Sequence, residues 1–120
     1  MGRILVIDDE EPLRKLLRTV LEGAGHEVTA APNGRLGLAA YQERAADLVI
    51  TDIVMPEMNG LDLILALTRA FLNVKVIAMS GTHDTEIVLD AAKLLGARHT
   101  LHKPFSMEAL LKTVHYELAH

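Results

Sequence analysis

Short apolar runs alternate with longer stretches of helical periodicity along this chain, and most of the runs stop on a charged or hydroxyl side chain. Ile4-Leu5-Val6-Ile7 stops on Asp8, with Asp9 and Glu10 next, and Leu48-Val49-Ile50-Thr51 stops on Asp52. A run over Val74–Met79 stops on Ser80, and His99-Thr100-Leu101-His102 stops on Lys103, directly before Pro104. Runs this short predict strands, and a further strand is predicted over Glu27–Ala31. Helices fill the intervals. In the first, Leu13, Leu16, Leu17, Val20 and Leu21 fall on one face, with Arg14, Lys15, Arg18 and Glu22 on the other. Pro12 suits its first turn, and Gly23 and Gly25 end it. Pro32-Asn33-Gly34 leads into a second helix of weaker periodicity over Arg35–Arg44. Asn59 can cap the third, with Asp62 favourable in its first turn. The fourth is predicted over Asp84–Leu95, stopped by Gly96. Ser106 can cap the last, whose buried stripe is Met107, Leu110, Leu111, Val114 and Leu118.

Strand alternating with helix predicts a doubly wound α/β fold. The first, third and fourth runs are nearly all apolar, as strands covered on both faces should be. The second and fifth carry Glu27, Thr29, His99, Thr100 and His102, which marks them as edges. Right-handed crossovers then give a five-stranded parallel sheet of order 2-1-3-4-5, flavodoxin-like, with helices on both faces. In that order the first and third strands are neighbours where the winding reverses, so Asp8 and Asp9 face Asp52 across the crevice.

Composition narrows the choices. At 120 residues without repeat, low-complexity segment or linker, residues 1–120 are expected to form one domain. Cysteine is absent, which excludes disulfides and thiolate metal sites and fits a reducing cytoplasm. A net charge of −4 offers no basic footprint for nucleic acid. No apolar stretch approaches the roughly 20 residues of a membrane span. Met1-Gly2-Arg3 runs straight into the first strand, so no signal peptide is expected.

Converging carboxylates cannot all stay ionised unless some take up protons or a hard cation binds. Oxygen-only ligands favour Mg²⁺, with Mn²⁺ possible, over Zn²⁺. Lys103 adds a positive group from the neighbouring edge, and the Ser80 hydroxyl and Gly81 amide can donate to a phosphoryl oxygen. Such a site acts by positioning and charge neutralisation, and a carboxylate in it can be the nucleophile.

With these residues the chain resembles the receiver domains of two-component response regulators, the chemotaxis-regulator-like fold. The motifs are Ile4-Leu5-Val6-Ile7-Asp8-Asp9-Glu10, Thr51-Asp52-Ile53-Val54-Met55-Pro56, Asn59-Gly60, Met79-Ser80-Gly81 and Lys103-Pro104-Phe105, and the resemblance covers the whole chain. It implies that Asp52 accepts a phosphoryl group from a phosphohistidine on a sensor kinase or phosphotransfer protein. Asp8 and Asp9, with Asp52 and the backbone carbonyl of Val54, would hold Mg²⁺, Asp9 directly. Ser80 would follow the phosphoryl oxygen, Lys103 would pair with it, and a cis bond before Pro104 would aim Lys103 inward. The domain would catalyse its own phosphorylation and slow dephosphorylation, as a cytoplasmic switch more than a metabolic enzyme. The new charge would shift two conformations, moving the fourth helix, fifth strand and fifth helix, where a target protein or output domain docks. The family often carries an aromatic residue three positions before the lysine; Thr100 stands there. Arg98-His99 replaces the acidic pair frequent in regulators that dimerise through this face, which argues against such a dimer. Val54 offers no side-chain hydrogen bond to a water.

Other readings weigh less. Asp8, Asp9 or Glu10 could cap the first helix, while Met55-Pro56 and Gly60 read as loop-shaping. An aspartyl-nucleophile phosphatase would want a second Asp where Val54 stands, and a nucleotide or flavin module would want glycines where Asp9-Glu10-Glu11-Pro12 stands. A degenerate receiver acting as an interaction scaffold is the remaining alternative. His99 and His102 point to opposite sides of a strand, and His26, His83, His115 and His120 are expected to be scattered and solvated. His83 could tune access to the site. Leu61, Leu63, Ile64, Leu65 and Leu67 make the third helix unusually apolar, mostly for the core, with an excess that could serve docking or dimerisation.

Overall fold

A computed structural model describes residues 2–81 and 85–120. It contains β1 (Arg3–Ile7), α1 (Glu11–Gly23), β2 (Glu27–Ala31), α2 (Gly34–Glu43) and β3 (Leu48–Asp52). The second half runs through α3 (Gly60–Ala70), β4 (Val76–Ser80), α4 (Thr85–Leu95), β5 (His99–His102) and α5 (Met107–Ala119). The strands form one sheet of order β2-β1-β3-β4-β5, every pairing parallel. The expected edges are the edges. His83 lies outside the described residues, as do Thr82 and the expected helix start at Asp84.

The pleat divides each central strand between two cores. Leu5 and Ile7 of β1, with Val49 of β3, pack under α2, α3 and α4 against Tyr41, Leu63, Ile64, Leu67 and Leu89. Ile4 and Val6, with Leu48 and Ile50, pack on the other face under α1 and α5 against Leu17, Leu21, Leu110 and Val114. Each such side chain contributes about 1.5–3 kcal/mol on leaving water. Helix ends follow local chemistry: Asn59 Oδ1 accepts the Asp62 amide at 3.0 Å, and Ser106 Oγ accepts the Ala109 amide at 3.0 Å. Asn33 caps α2 in the same way, through the Leu36 amide at 2.8 Å.

Several expectations need correction. β4 begins at Val76, not Val74, since the register with β3 starts at Val49 opposite Val76; Val74 reaches the core from the preceding loop. Leu16 is not in the buried stripe of α1 but 47% exposed, one helical step outside the Leu17–Leu21 contact line. On α5 the buried positions are Leu110, Val114 and Glu117, while Met107, Leu111 and Leu118 are only partly covered. The apolar surplus of α3 is largely absorbed: Leu63, Ile64 and Leu67 are buried, and Leu61 packs beside them. His26 is buried rather than solvated; its Nδ1 accepts the Gly2 amide at 3.1 Å, and its Nε2 lies 3.1 Å from His115 Nε2. Burial, with His115 beside it, holds the His26 imidazole below its ordinary value.

Candidate functional site

Parallel pairing carries charge from distant parts of the sequence to one edge. Ile7 is in register with Thr51, so Asp8 and Asp52 leave adjacent strand ends together. Asp52 is in register with Met79, and Ser80 with His102, which places Ser80 and Lys103 beyond the same edge. Asp8 is fully buried, Asp52 is 6% exposed and Asp9 is exposed. Carboxylate oxygens of Asp8, Asp9 and Asp52 lie within 4.8 Å of one another.

Lys103 is the cation at the centre. Its Nζ lies 3.1 Å from Asp8 Oδ2, 3.4 Å from Asp52 Oδ1 and 3.4 Å from Glu10 Oε1. Its amide donates to the Ser80 carbonyl at 2.8 Å, which ties β5 to the end of β4, and the Lys103–Pro104 bond is cis. Gly81 clears the way for the lysine stem: a Cβ there would sit 2.8 Å from Lys103 Cβ. Gly60 does the same for the aspartate. A Cβ there would meet the Asp52 carbonyl and lie 2.6 Å from Ile53 Cα, and both obstacles are backbone. The loop-shaping reading of Gly60 is therefore a matter of space.

Burial pushes the Asp52 carboxyl up to about 6; Lys103 opposes the rise and Asp8 adds to it. Burial works against the Lys103 ammonium as well, but Asp52 and Asp8 outweigh it and keep its pKa above that of an ordinary lysine. One ammonium thus serves three carboxylates, with a fourth, Asp9, alongside. Among the described residues that surplus of anionic oxygen brings no nitrogen or sulfur ligand with it, and it fits a hard divalent cation. Asp9, Asp52, Val54, Gly81 and Lys103 line one open cavity of about 590 Å³, together with the apolar Leu13, Leu16, Phe105 and Met107.

Ser80 ends β4, as expected. It is fully buried, and its hydroxyl lies 3.3 Å from Thr85 Oγ1, so Gly81 is the residue of that pair that lines the cavity. The helix-cap reading is corrected. Glu10 occupies the cap position of α1 but makes no side-chain cap bond; Asp8 Oδ1 instead accepts the Glu10 amide at 2.8 Å. Two contacts escaped the sequence reading: Glu10 with Lys103, and Arg14, whose Nη1 donates to the Asp8 carbonyl at 2.7 Å. A charged residue at the start of a helix next to an acidic strand end was the available signal for both.

The family profile described as response regulator receiver domain matches residues 4–115, and this chain belongs to that family. It is 35% identical over 113 residues to the chemotaxis protein CheY of Thermotoga maritima, covering 93% of each chain. It is 38% identical over 120 residues to protein PilH of Pseudomonas aeruginosa, covering 99% of each. Among solved structures, the response regulator TrrA of Thermotoga maritima in complex with Mg(2+)-BeF superposes with a TM-score of 0.88 at 31% identity, covering 98% of this chain and 99% of that one. The chain is a receiver domain of two-component signalling, and none of the helices in its described residues is long and apolar enough to cross a membrane.

Proposed function

We propose that residues 1–120 act as one Mg²⁺-dependent phosphoacceptor domain in which Asp52 takes a phosphoryl group from a phosphohistidine donor. The observation that carries this reading is the sharing of Lys103 by Asp8, Glu10 and Asp52 at the mouth of an open cavity. At pH 7 a carboxyl with a pKa of about 6 is mostly ionised and can attack phosphorus. The bond to the donor imidazole nitrogen breaks as the Asp52 oxygen–phosphorus bond forms, and the electron pair leaves with the imidazole. Lys103 would move from its carboxylates to the new phosphoryl oxygens, and Gly81, whose amide could donate to one of them, lines the same cavity. Ser80 would follow the phosphoryl group by turning its hydroxyl away from Thr85. Asp8, Asp9, Asp52 and the Val54 carbonyl would hold Mg²⁺, which supplies neutralisation of charge on the transferring group. The TrrA structure, a complex with Mg(2+)-BeF on the same fold, supports a Mg²⁺ requirement.

Phosphorylation would then shift α4, β5 and α5, where a target protein or an output domain docks. A cytoplasmic setting, with a sensor histidine kinase or histidine phosphotransfer protein as donor, completes the reading.

Intact mass after incubation with acetyl phosphate tests it. Wild type should gain a single phosphoryl adduct that requires Mg²⁺, and Asp52→Ala should gain none. An adduct that persists in Asp52→Ala would assign the chemistry to another residue. Wild type that binds Mg²⁺ yet gains no adduct from acetyl phosphate or a phosphohistidine donor would point to a scaffold instead.

A further inference from the structure

The four polar groups of Asp8 are all engaged, each by a different part of the chain. Its amide donates to the Ala31 carbonyl of β2 at 3.2 Å, and Oδ1 accepts the Glu10 amide at 2.8 Å. Oδ2 accepts from Lys103 at 3.1 Å, and the main-chain carbonyl accepts from Arg14 Nη1 at 2.7 Å. That last oxygen belongs to the peptide plane joining Asp8 to Asp9. The plane turns only through ψ of Asp8 and φ of Asp9, so its orientation sets how the two carboxylates stand relative to each other. Asp8 is fully buried, so without Arg14 its carbonyl would lose a partner in a place where an unmade bond is expensive. Arg14 is itself half-buried, and its amide donates to the Glu10 carbonyl at 3.0 Å in the first turn of α1, so its backbone is fixed while its side chain reaches the strand end.

We infer that Arg14 is a positioning residue for divalent-cation binding: by clamping the Asp8–Asp9 peptide it presents both carboxylates in the geometry the cation needs. The inference rests on the proposed Mg²⁺ site. Electrostatics alone predicts the opposite sign, since a guanidinium beside the site repels a second cation and its removal should tighten binding. The sign of the effect therefore separates a clamp from a mere neighbouring charge.

The test is a Mg²⁺ titration of the full chain, followed by backbone amide shifts of Asp9, Glu10 and Asp52, for wild type, Arg14→Gln and Arg14→Lys. The clamp predicts about tenfold weaker Mg²⁺ binding in Arg14→Gln, with partial recovery in Arg14→Lys, which keeps the charge and can still donate to the carbonyl. It also predicts that the rise in melting temperature caused by Mg²⁺ shrinks in Arg14→Gln, whereas a purely structural role would lower both melting temperatures and leave the increment unchanged. Unchanged or tighter binding in a folded Arg14→Gln overturns the inference, and Arg14→Lys serves where the Gln variant does not fold. Phosphorylation of wild type by acetyl phosphate distinguishes the two levels. An adduct with the same Mg²⁺ requirement in wild type and Arg14→Gln overturns the clamp alone; Mg²⁺ binding that depends on Arg14 without any adduct supports the clamp and overturns the proposed phosphoacceptor. Wild type that binds no Mg²⁺ overturns both.

Discussion

Asp52 and Glu117 are both buried carboxylates, and the fold treats them in opposite ways. Glu117 on α5 has a side chain only 3% exposed and is matched on every side. Arg98 Nε donates to its Oε1 at 2.8 Å, His99 Nδ1 lies 2.8 Å from its Oε2, and Lys75 Nζ reaches its main-chain carbonyl at 2.6 Å. Asp52 has a side chain 9% exposed and shares a single ammonium, at 3.4 Å, with Asp8 and Glu10. Glu117 fastens α5 to β5. Among the described residues Asp52 has no cation of its own, and it stands beside an open cavity. A buried charge that is fully partnered is structure, and one that is under-partnered at a strand end is a place where chemistry can begin.

The largest effect expected from this contrast is on stability against pH. The folded pKa of Asp52 is raised to about 6 from an ordinary 3.8, a difference of about 3 kcal/mol once the group is ionised in both states. A raised acid favours folding below its unfolded value and loses that advantage as pH rises through the folded one. In Mg²⁺-free protein, the Asp52 contribution should therefore fall between about pH 4 and pH 6. Urea unfolding at pH 5 and pH 7 should show Asp52→Asn gaining up to about 3 kcal/mol over wild type at the higher pH and less at the lower. Equal gains at both would remove the imbalance on which the contrast with Glu117 rests.

Gly60→Ala attacks the Asp52 side alone. Its Cβ meets the backbone of Asp52 and Ile53, which cannot rotate away, so a loss of about 2 kcal/mol is expected together with slower phosphorylation by acetyl phosphate. Full-rate phosphorylation in a destabilised Gly60→Ala protein would show that Asp52 tolerates a displaced backbone.

Glu117→Gln attacks the other side. Arg98 and His99 are about two-fifths exposed and can turn to water, so the loss should be about 1–2 kcal/mol in denaturant unfolding, with acetyl-phosphate phosphorylation unchanged. A changed phosphorylation rate would join the two regions into one network. The smallest effect belongs to Glu57, which holds φ at 66° in the loop between Asp52 and α3. Its ion pair with Arg35 spans 3.8 Å at the surface and contributes little. Glu57→Gly should raise stability by about 0.5 kcal/mol by relieving a left-handed backbone, and a loss in thermal unfolding would show that the side chain matters more than its conformation.

Much of this protein was legible in one dimension. Apolar runs marked the strands, their content separated edge from centre, and Asn59 and Ser106 announced the helix starts they cap. Asp8, Asp52 and Lys103 could be brought together on paper because parallel strands deliver their ends to one edge. These features are encoded by neighbours in sequence, through periodicity and chain direction, so sequence alone determined them. Only the tertiary structure decided which polar groups meet. Nothing along the chain marks Glu117 as buried; Arg98 and His99, distant in sequence, come within 2.8 Å of it. Ser80 turns to Thr85, His26 is covered with His115, and Arg14 leaves the polar face of α1 to clamp Asp8. Whether a charge can be buried depends on partners supplied by packing. A pattern along the chain records which face a residue occupies, and packing sets what that face touches.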